Sequence, residues 1–201
     1  DAIKNTKFLS KQELEKKLNF KIKNNNIIVT FHPVTLEEES SKKNFKQILL
    51  AIKQLKNTSI IFTMPNNDPG YSVIFRMIKK FVQKNKHSKY FVNLGHLKYF
   101  SCLKYSKYVL GNSSSAIHEV PTFKIPSINI GNRQKGRIQS ISTINCKPEK
   151  NLILNAFKKA DLLYTKKKLT NVKNPYGKPG SNKKIVKILK TLSFNNVIQK
   201  K

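Results

Sequence analysis

Apolar residues along the chain alternate between short dense runs and helical stripes. The runs at 27–31, 60–64, 90–94, 107–110 and 126–130 read as strands, and a further short strand is expected at 141–145. Dense runs without in–out alternation are the form that strands take when a parallel sheet is covered on both faces. Between them the period changes to that of a helix. Ser10 and Glu13 stand in capping-box spacing, which predicts a helix over 10–18. Residues 37–55 carry Phe45, Leu49, Ile52 and Leu55 on one stripe, and Glu37, Glu38 and Glu39 fall in the first turn, where they offset the dipole. Helices follow at 71–85, from Gly95 to about 107, and at 152–163; Ser181 is expected to cap a last helix reaching Leu192.

Strand and helix alternate from end to end, without an internal repeat or a low-complexity linker. The fold class this predicts is α/β, a doubly wound parallel Rossmann-like sheet over residues 1–192, with a basic tail at 193–201. Turn-rich stretches at 24–26, 65–70 and 174–180 punctuate the alternation. The 201 residues suffice for one domain with a sizeable core. No apolar run approaches the roughly 20 residues that span a bilayer, and no signal-peptide pattern opens the chain. The first residue is Asp1 rather than Met, which suggests a preceding segment.

Composition changes this picture in one respect. Lysines and arginines number 40 against 10 acidic residues, a net charge of +30. Such a charge points to nucleic acid or an anionic surface, but its make-up argues the other way. Arg76, Arg133 and Arg137 are the only arginines, whereas base reading leans on arginine forks and single-strand binding on interleaved aromatics. The lysines are spread over the predicted helices instead of gathered in one block. They read as solvated faces, and no specific nucleic-acid partner is expected. Cys102 and Cys146 lack metal-ligand spacing and read as buried free thiols in a reducing cytosol.

The candidate chemistry concentrates at 110–137, LGNSSSAIHEVPTFKIPSINIGNRQKGR. A strand ending leads into Gly111, Asn112 and three serines, Ser113, Ser114 and Ser115. A short helix follows, with Ile117 and Val120 on one face, closed by Pro121. Unpaired N–H groups at a helix start, with hydroxyls beside them, make an anion site. Serines there also serve as N-caps and nothing more. No glycine fingerprint of the P-loop or dinucleotide type is present, so spacing alone leaves both readings open. Glu119 lies too far along to cap this turn and is placed to accept from ribose hydroxyls. His32 follows a strand, at the sheet edge where ligands collect in open α/β folds; a lone histidine there is more often structural than catalytic.

The same segment closely resembles the hydrolysing UDP-N-acetylglucosamine 2-epimerases, the sialic-acid pathway family. The resemblance rests on the GNSS turn, on Glu119 six residues after Ser113, and on the PSINIGNRQKGR strand and turn. In chain order it also includes His32-Pro33-Val34-Thr35, Met64-Pro65-Asn66-Asn67-Asp68 and Asn174-Pro175-Tyr176-Gly177, covering about 26–189. It implies that the chain is the UDP-binding C-terminal half of a two-domain GT-B-type enzyme, with the N-terminal half and its catalytic carboxylates lying outside it. The implied reaction takes UDP-N-acetylglucosamine to N-acetylmannosamine and UDP, without metal or cofactor. The implied setting is cytoplasmic and, for the full-length protein, homo-oligomeric.

By the same resemblance His32 is catalytic and faces the nucleotide-sugar cleft. Ser113, Ser114, Ser115 and Arg133 hold the diphosphate, and Glu119 holds the ribose. Asn66 belongs to a substrate loop, and backbone around Leu94 and Gly95 meets the uracil. Arg133 gains weight from its place beside Gly131 in an arginine-poor chain, since a fork-shaped cation suits a diphosphate. Asp68 gains little. Arg137 is read as supporting or dimer-facing, His96 as a helix-start residue, and His118, which departs from the family pattern, is given no role. Three other functions stay open: a UDP-N,N′-diacetylbacillosamine 2-epimerase, a GT-B-type UDP-sugar glycosyltransferase, and a basic binding module supported by charge alone.

Overall fold

A computed structural model describes residues 2–34, 38–65, 69–165, 169–177 and 180–192, the side chains of 38 and 39 excepted. The strands are β1 (Asn25–Thr30), β2 (Thr58–Thr63), β3 (Ser88–Phe91), β4 (Tyr108–Gly111), β5 (Ser127–Ile130) and β6 (Thr143–Cys146). They form one sheet in the order β3-β2-β1-β4-β5-β6, with every neighbouring pair parallel. The helices are α1 (Ala2–Asn5), α2 (Lys11–Leu18), α3 (Glu38–Ile52), α4 (Tyr71–Gln83), α5 (Gly95–Lys104), α6 (Ser115–His118), α7 (Lys150–Thr165) and α8 (Ser181–Thr191), with a 3-10 turn at Val120–Phe123.

The dense apolar runs are explained by two cores, one on each face of the sheet. Ile27, Val29, Phe62, Leu110 and Ile128 pack with α3, α4 and α7. The intervening residues Ile28, Ile61 and Val109 pack on the other face with α2 and α5. The chain winds outward from β1 to β3, returns to lay β4 beside β1, and winds outward again to β6. A crevice therefore opens at the C-terminal ends of β1 and β4, where the winding reverses.

Local signals hold where they are self-contained. Ser10 Oγ accepts from the Glu13 N–H at 3.3 Å while Glu13 Oε2 accepts from the Ser10 N–H at 2.8 Å, so the capping box is complete. Other boundaries move for identifiable reasons. The stripe of α3 turns to Phe45, Ile48, Ala51 and Ile52, with Leu49 and Leu55 at its border. β3 stops at Phe91, and Leu94 becomes the residue before α5, because the Asn93 side chain accepts from the Gly95 N–H at 2.7 Å and turns the chain. Pro121 sits in the first positions of the 3-10 turn instead of closing a helix, where its missing N–H costs nothing. β6 begins at Thr143, since Ile141 is 78% exposed and Ser140 accepts from the Thr143 N–H. Gly180, at φ 110°, takes the cap position before α8, and Ser181 is the first helical residue.

Cys102 is buried as expected, but Cys146 is only half-buried; both are free thiols. α8 buries none of its residues, and Ile185, Val186, Ile188 and Leu189 are about half exposed. Among the described residues no helix is long and apolar enough to cross a membrane, and no three His, Cys, Asp or Glu side chains gather to hold a metal ion. The acidic residue Glu37 and the basic tail at 193–201 lie outside the described residues.

The β1–β4 approach makes Gly111 indispensable. Its φ is +140°, and a Cβ there would run into the Thr30 carbonyl. Gly111→Ala should lose about 3 kcal/mol or more of stability in urea unfolding, whereas Gly136→Ala, with open space around it, should lose only the ~1–2 kcal/mol of a left-handed alanine. The thiols yield a second expectation. Burial pushes Cys102 up to about 12 and Cys146 up to about 11. Alkylation at pH 8 should be at least ~100-fold slower than for a free thiol, with Cys102 reacting only on unfolding.

Candidate functional site

The crevice at the reversal point holds a cleft of about 360 Å³. Its floor begins with Thr30 and Thr63, the last residues of β1 and β2, whose hydroxyls are 2.5 Å apart. His32, 7% exposed, lies just beyond Thr30 and lines the cleft. Asn93, Leu94, Gly95 and His96, the turn into α5, supply a second part of the wall. The aromatic ring of His96 stacks on Phe100 with centroids 5.8 Å apart. Ser113, Ser114, Ser115 and Arg133 complete the wall.

The serine turn owes its form to what precedes it. Gly111 lets β4 pass close to β1, and the Asn112 N–H donates to the Thr30 carbonyl at 3.1 Å. The Asn112 side chain then pairs with both backbone groups of His32. Oδ1 accepts from the His32 N–H at 2.7 Å, and Nδ2 donates to the His32 carbonyl at 2.8 Å. The Asn112 carbonyl accepts from Gln134 Nε2 at 2.8 Å and from Arg133 Nη1 at 3.3 Å. Asn112 and Gln134 are each 1% exposed, and neither stood among the expected site residues. A buried pair of this kind leaves no periodic trace in a sequence.

The serines do little capping. Ser114 holds the cap position of α6 but makes no capping bond, and the Ser113 hydroxyl offers only a long 3.4 Å contact to the Ser115 N–H. The backbone N–H groups of Ser113 and Ser114 have no partner among the described residues. These donors line the cleft instead of serving the helix. α6 is a single turn of four residues, so its dipole contributes little and the local N–H and O–H groups dominate. The Ser115 hydroxyl is engaged by Tyr99 Oη at 2.5 Å. Burial raises the Tyr99 phenol well above its ordinary value, so it stays protonated.

Glu119 follows α6 directly and does not line the cleft. Its carboxylate stands near Tyr99, whose phenol it helps to keep protonated, and Oε2 is buried without a hydrogen-bond partner among the described residues. Asn66, with its neighbours Asn67 and Asp68, lies outside the described residues. Arg137 is not in the cleft. Its Nη1 lies 3.3 Å from His118 Nε2, and the His118 ring packs on Tyr176 with centroids 4.2 Å apart. Asn174 Nδ2 donates to the His118 carbonyl at 2.6 Å and to Thr122 Oγ1 at 2.8 Å. His118, Arg137 and the 174–177 loop thus buttress the segment that carries Glu119.

The model of the UDP-N-acetylglucosamine 2-epimerase family matches residues 1–190. The chain belongs to this family. A family relative, the GDP/UDP-N,N′-diacetylbacillosamine 2-epimerase (hydrolyzing) of Campylobacter jejuni, is 43% identical over 160 residues, covering 79% of this chain and 41% of that protein. The polysialic acid biosynthesis protein P7 of Escherichia coli is 37% identical over 185 residues, covering 90% of this chain and 46% of its own length. Among solved folds of the family, the Methanocaldococcus jannaschii UDP-GlcNAc 2-epimerase in complex with UDP-GlcNAc and UDP superposes with a TM-score of 0.66 at 20% identity, over 94% of this chain and 50% of that one. The chain spans about half the length of these family members.

The buttress generates its own expectation. Asn174→Ala removes two hydrogen bonds that hold the loop against His118 and Thr122, and should lower stability by about 1–2 kcal/mol. Trypsin cleavage at Lys173 should become faster; unchanged cleavage and an unchanged melting temperature would show the loop to be held elsewhere.

Proposed function

We propose that this chain is the UDP-binding part of a hydrolysing UDP-sugar 2-epimerase that releases N-acetylmannosamine and UDP from UDP-N-acetylglucosamine for sialic-acid-type sugar synthesis. The observation that carries this reading is the convergence of Ser113, Ser114, Arg133 and His32 on one cleft at the reversal point of the sheet. A diphosphate needs several preorganised donors, and a cleft at a parallel-sheet edge supplies them. The turn at Leu94 and Gly95 offers backbone groups to a base, and Glu119 offers a carboxylate to a ribose diol.

The chemistry assigned to this part is that of the leaving group. As the C1–O bond breaks and a base removes the C2 proton, negative charge accumulates on the departing diphosphate. Arg133 and the serine-turn donors stabilise it, and His32 delivers a proton to the leaving oxygen. Water then adds across the resulting double bond, with inversion at C2. The base and the sugar contacts belong to the remaining half of the full-length protein, as does the choice between this sugar and its N,N′-diacetylbacillosamine counterpart. The likeness to the Campylobacter jejuni relative favours keeping that second sugar in view. In this scheme residues 1–192 are the nucleotide domain, and the full-length enzyme is a cytoplasmic homo-oligomer that works without metal or cofactor.

Calorimetry with UDP tests the reading. Replacing Ser113 and Ser114 together by Ala should weaken UDP by about 1.5–3 kcal/mol for each charge-assisted bond lost, and unchanged affinity would exclude the turn as the diphosphate site. Glu119→Gln should weaken UDP far more than pyrophosphate. The chain alone should bind UDP without releasing sugar, and the upstream half, added as a separate polypeptide, should restore release.

A further inference from the structure

Asn112 uses every polar atom it has, and its partners come from two separate parts of the chain, the end of β1 and the turn after β5. Its N–H holds Thr30 at the end of β1, and its side-chain amide holds both backbone groups of His32. Its carbonyl gathers Gln134 and Arg133 from the turn after β5. A side-chain amide that pairs with one peptide unit in both directions mimics a strand neighbour. β4 ends at Gly111, so the Asn112 side chain continues the ladder for one more step, alongside a segment of β1 that has already left the sheet. Rotation of His32 about its backbone would break both bonds.

The carbonyl side does the corresponding work for Arg133. Gln134 is 1% exposed and cannot move without breaking its 2.8 Å bond to Asn112. Arg133, next to it, is exposed at the cleft and commits one nitrogen to the same carbonyl at 3.3 Å. Among the described residues its guanidinium makes no other hydrogen bond, and Arg133 lines the cleft. His32 and Arg133 are 101 residues apart in sequence, by subtraction of their numbers. They nevertheless share one buried residue, Asn112, as their common reference.

We propose that Asn112 is a positioning residue which registers His32 against Arg133, with Gln134 as its brace, so that the two groups meet a diphosphate at a set separation. This rests on the UDP-binding reading of the cleft. Asn112 touches no ligand in this scheme; it acts through the two residues it holds. A structural role elsewhere in the sheet looks different. Asn26, fully buried at the opposite end of β1, bonds Ser59 at 2.8 Å and Ser106 at 3.0 Å without approaching the cleft.

The test uses the 201-residue chain with Asn112→Leu, Gln134→Leu and, for comparison, Asn26→Leu. Titrations with UDP, pyrophosphate and uridine are followed by NMR, together with hydrogen exchange at the His32 amide. Asn112→Leu should weaken UDP and pyrophosphate by at least ~10-fold while uridine is unchanged, and should speed His32 amide exchange by at least ~100-fold. Asn26→Leu should lower the melting temperature but leave all three affinities and the His32 amide as they were. Should Asn112→Leu fail to fold, Gln134→Leu decides, since it leaves the His32 pairing intact; a ~3–10-fold loss confined to UDP and pyrophosphate is expected. Unchanged diphosphate affinity in the folded variant overturns the proposal. A wild-type chain that binds no UDP instead overturns the functional reading, and the His32 exchange rate then still tells whether Asn112 holds that residue.

Discussion

The whole arrangement depends on how closely β1 and β4 approach at their C-terminal ends. At Thr30 and Gly111 the two backbones leave no room for a side-chain carbon. Everything that faces the cleft is fixed relative to this contact: the threonine hydroxyls below it, His32 beyond it, and the serine turn that starts one residue later. The constraint is steric and short-ranged, which is why it transmits position so faithfully. A packed core tolerates small shifts, but a collision with a carbonyl oxygen does not.

The two apolar cores explain why the sheet was readable. Burial on both faces removes the need for alternation, so strands show as dense runs whatever helix covers them. The capping box of α2 was equally plain, since all its atoms lie within four residues. Legibility failed where a contact spans the chain. Asn112 and Gln134 look like ordinary loop residues, and only partners 80 and 22 residues away make them part of the site. Tyr99 sits in a helix pattern that reads as packing, although its hydroxyl meets Ser115. His32 and Arg133 came from a family resemblance, not from any rule of spacing. The strand expected at 90–94 ends at Phe91, because the Asn93 side chain turns the chain, a device that apolar pattern does not record.

The charge finds a modest place in this structure. Among the described residues the ion pairs are Lys21 with Glu15 and Lys107 with Asp161, so nearly all the lysines face solvent without a carboxylate. Exposed lysines of this kind add little to stability and repel one another. Their common effect is a positive field around the molecule that falls off over about 8 Å at physiological salt. In the proposed scheme an anion nearing the cleft gains from that field, while its seating depends on the few donors of the serine turn and Arg133.

The separation of 80 residues between His32 and Asn112 has a consequence for the way the chain comes into being. A ribosome delivers β1 first, and its central position in the sheet leaves one edge without a neighbour until β4 has emerged. Loop closure of that length is slow compared with the local helices forming meanwhile. The edge of β1 is therefore bare during synthesis, and bare strand edges are where nascent chains mispair. Closing that edge and assembling the cleft are one event. A newborn chain that lacks the site is, for the same reason, a chain open to aggregation.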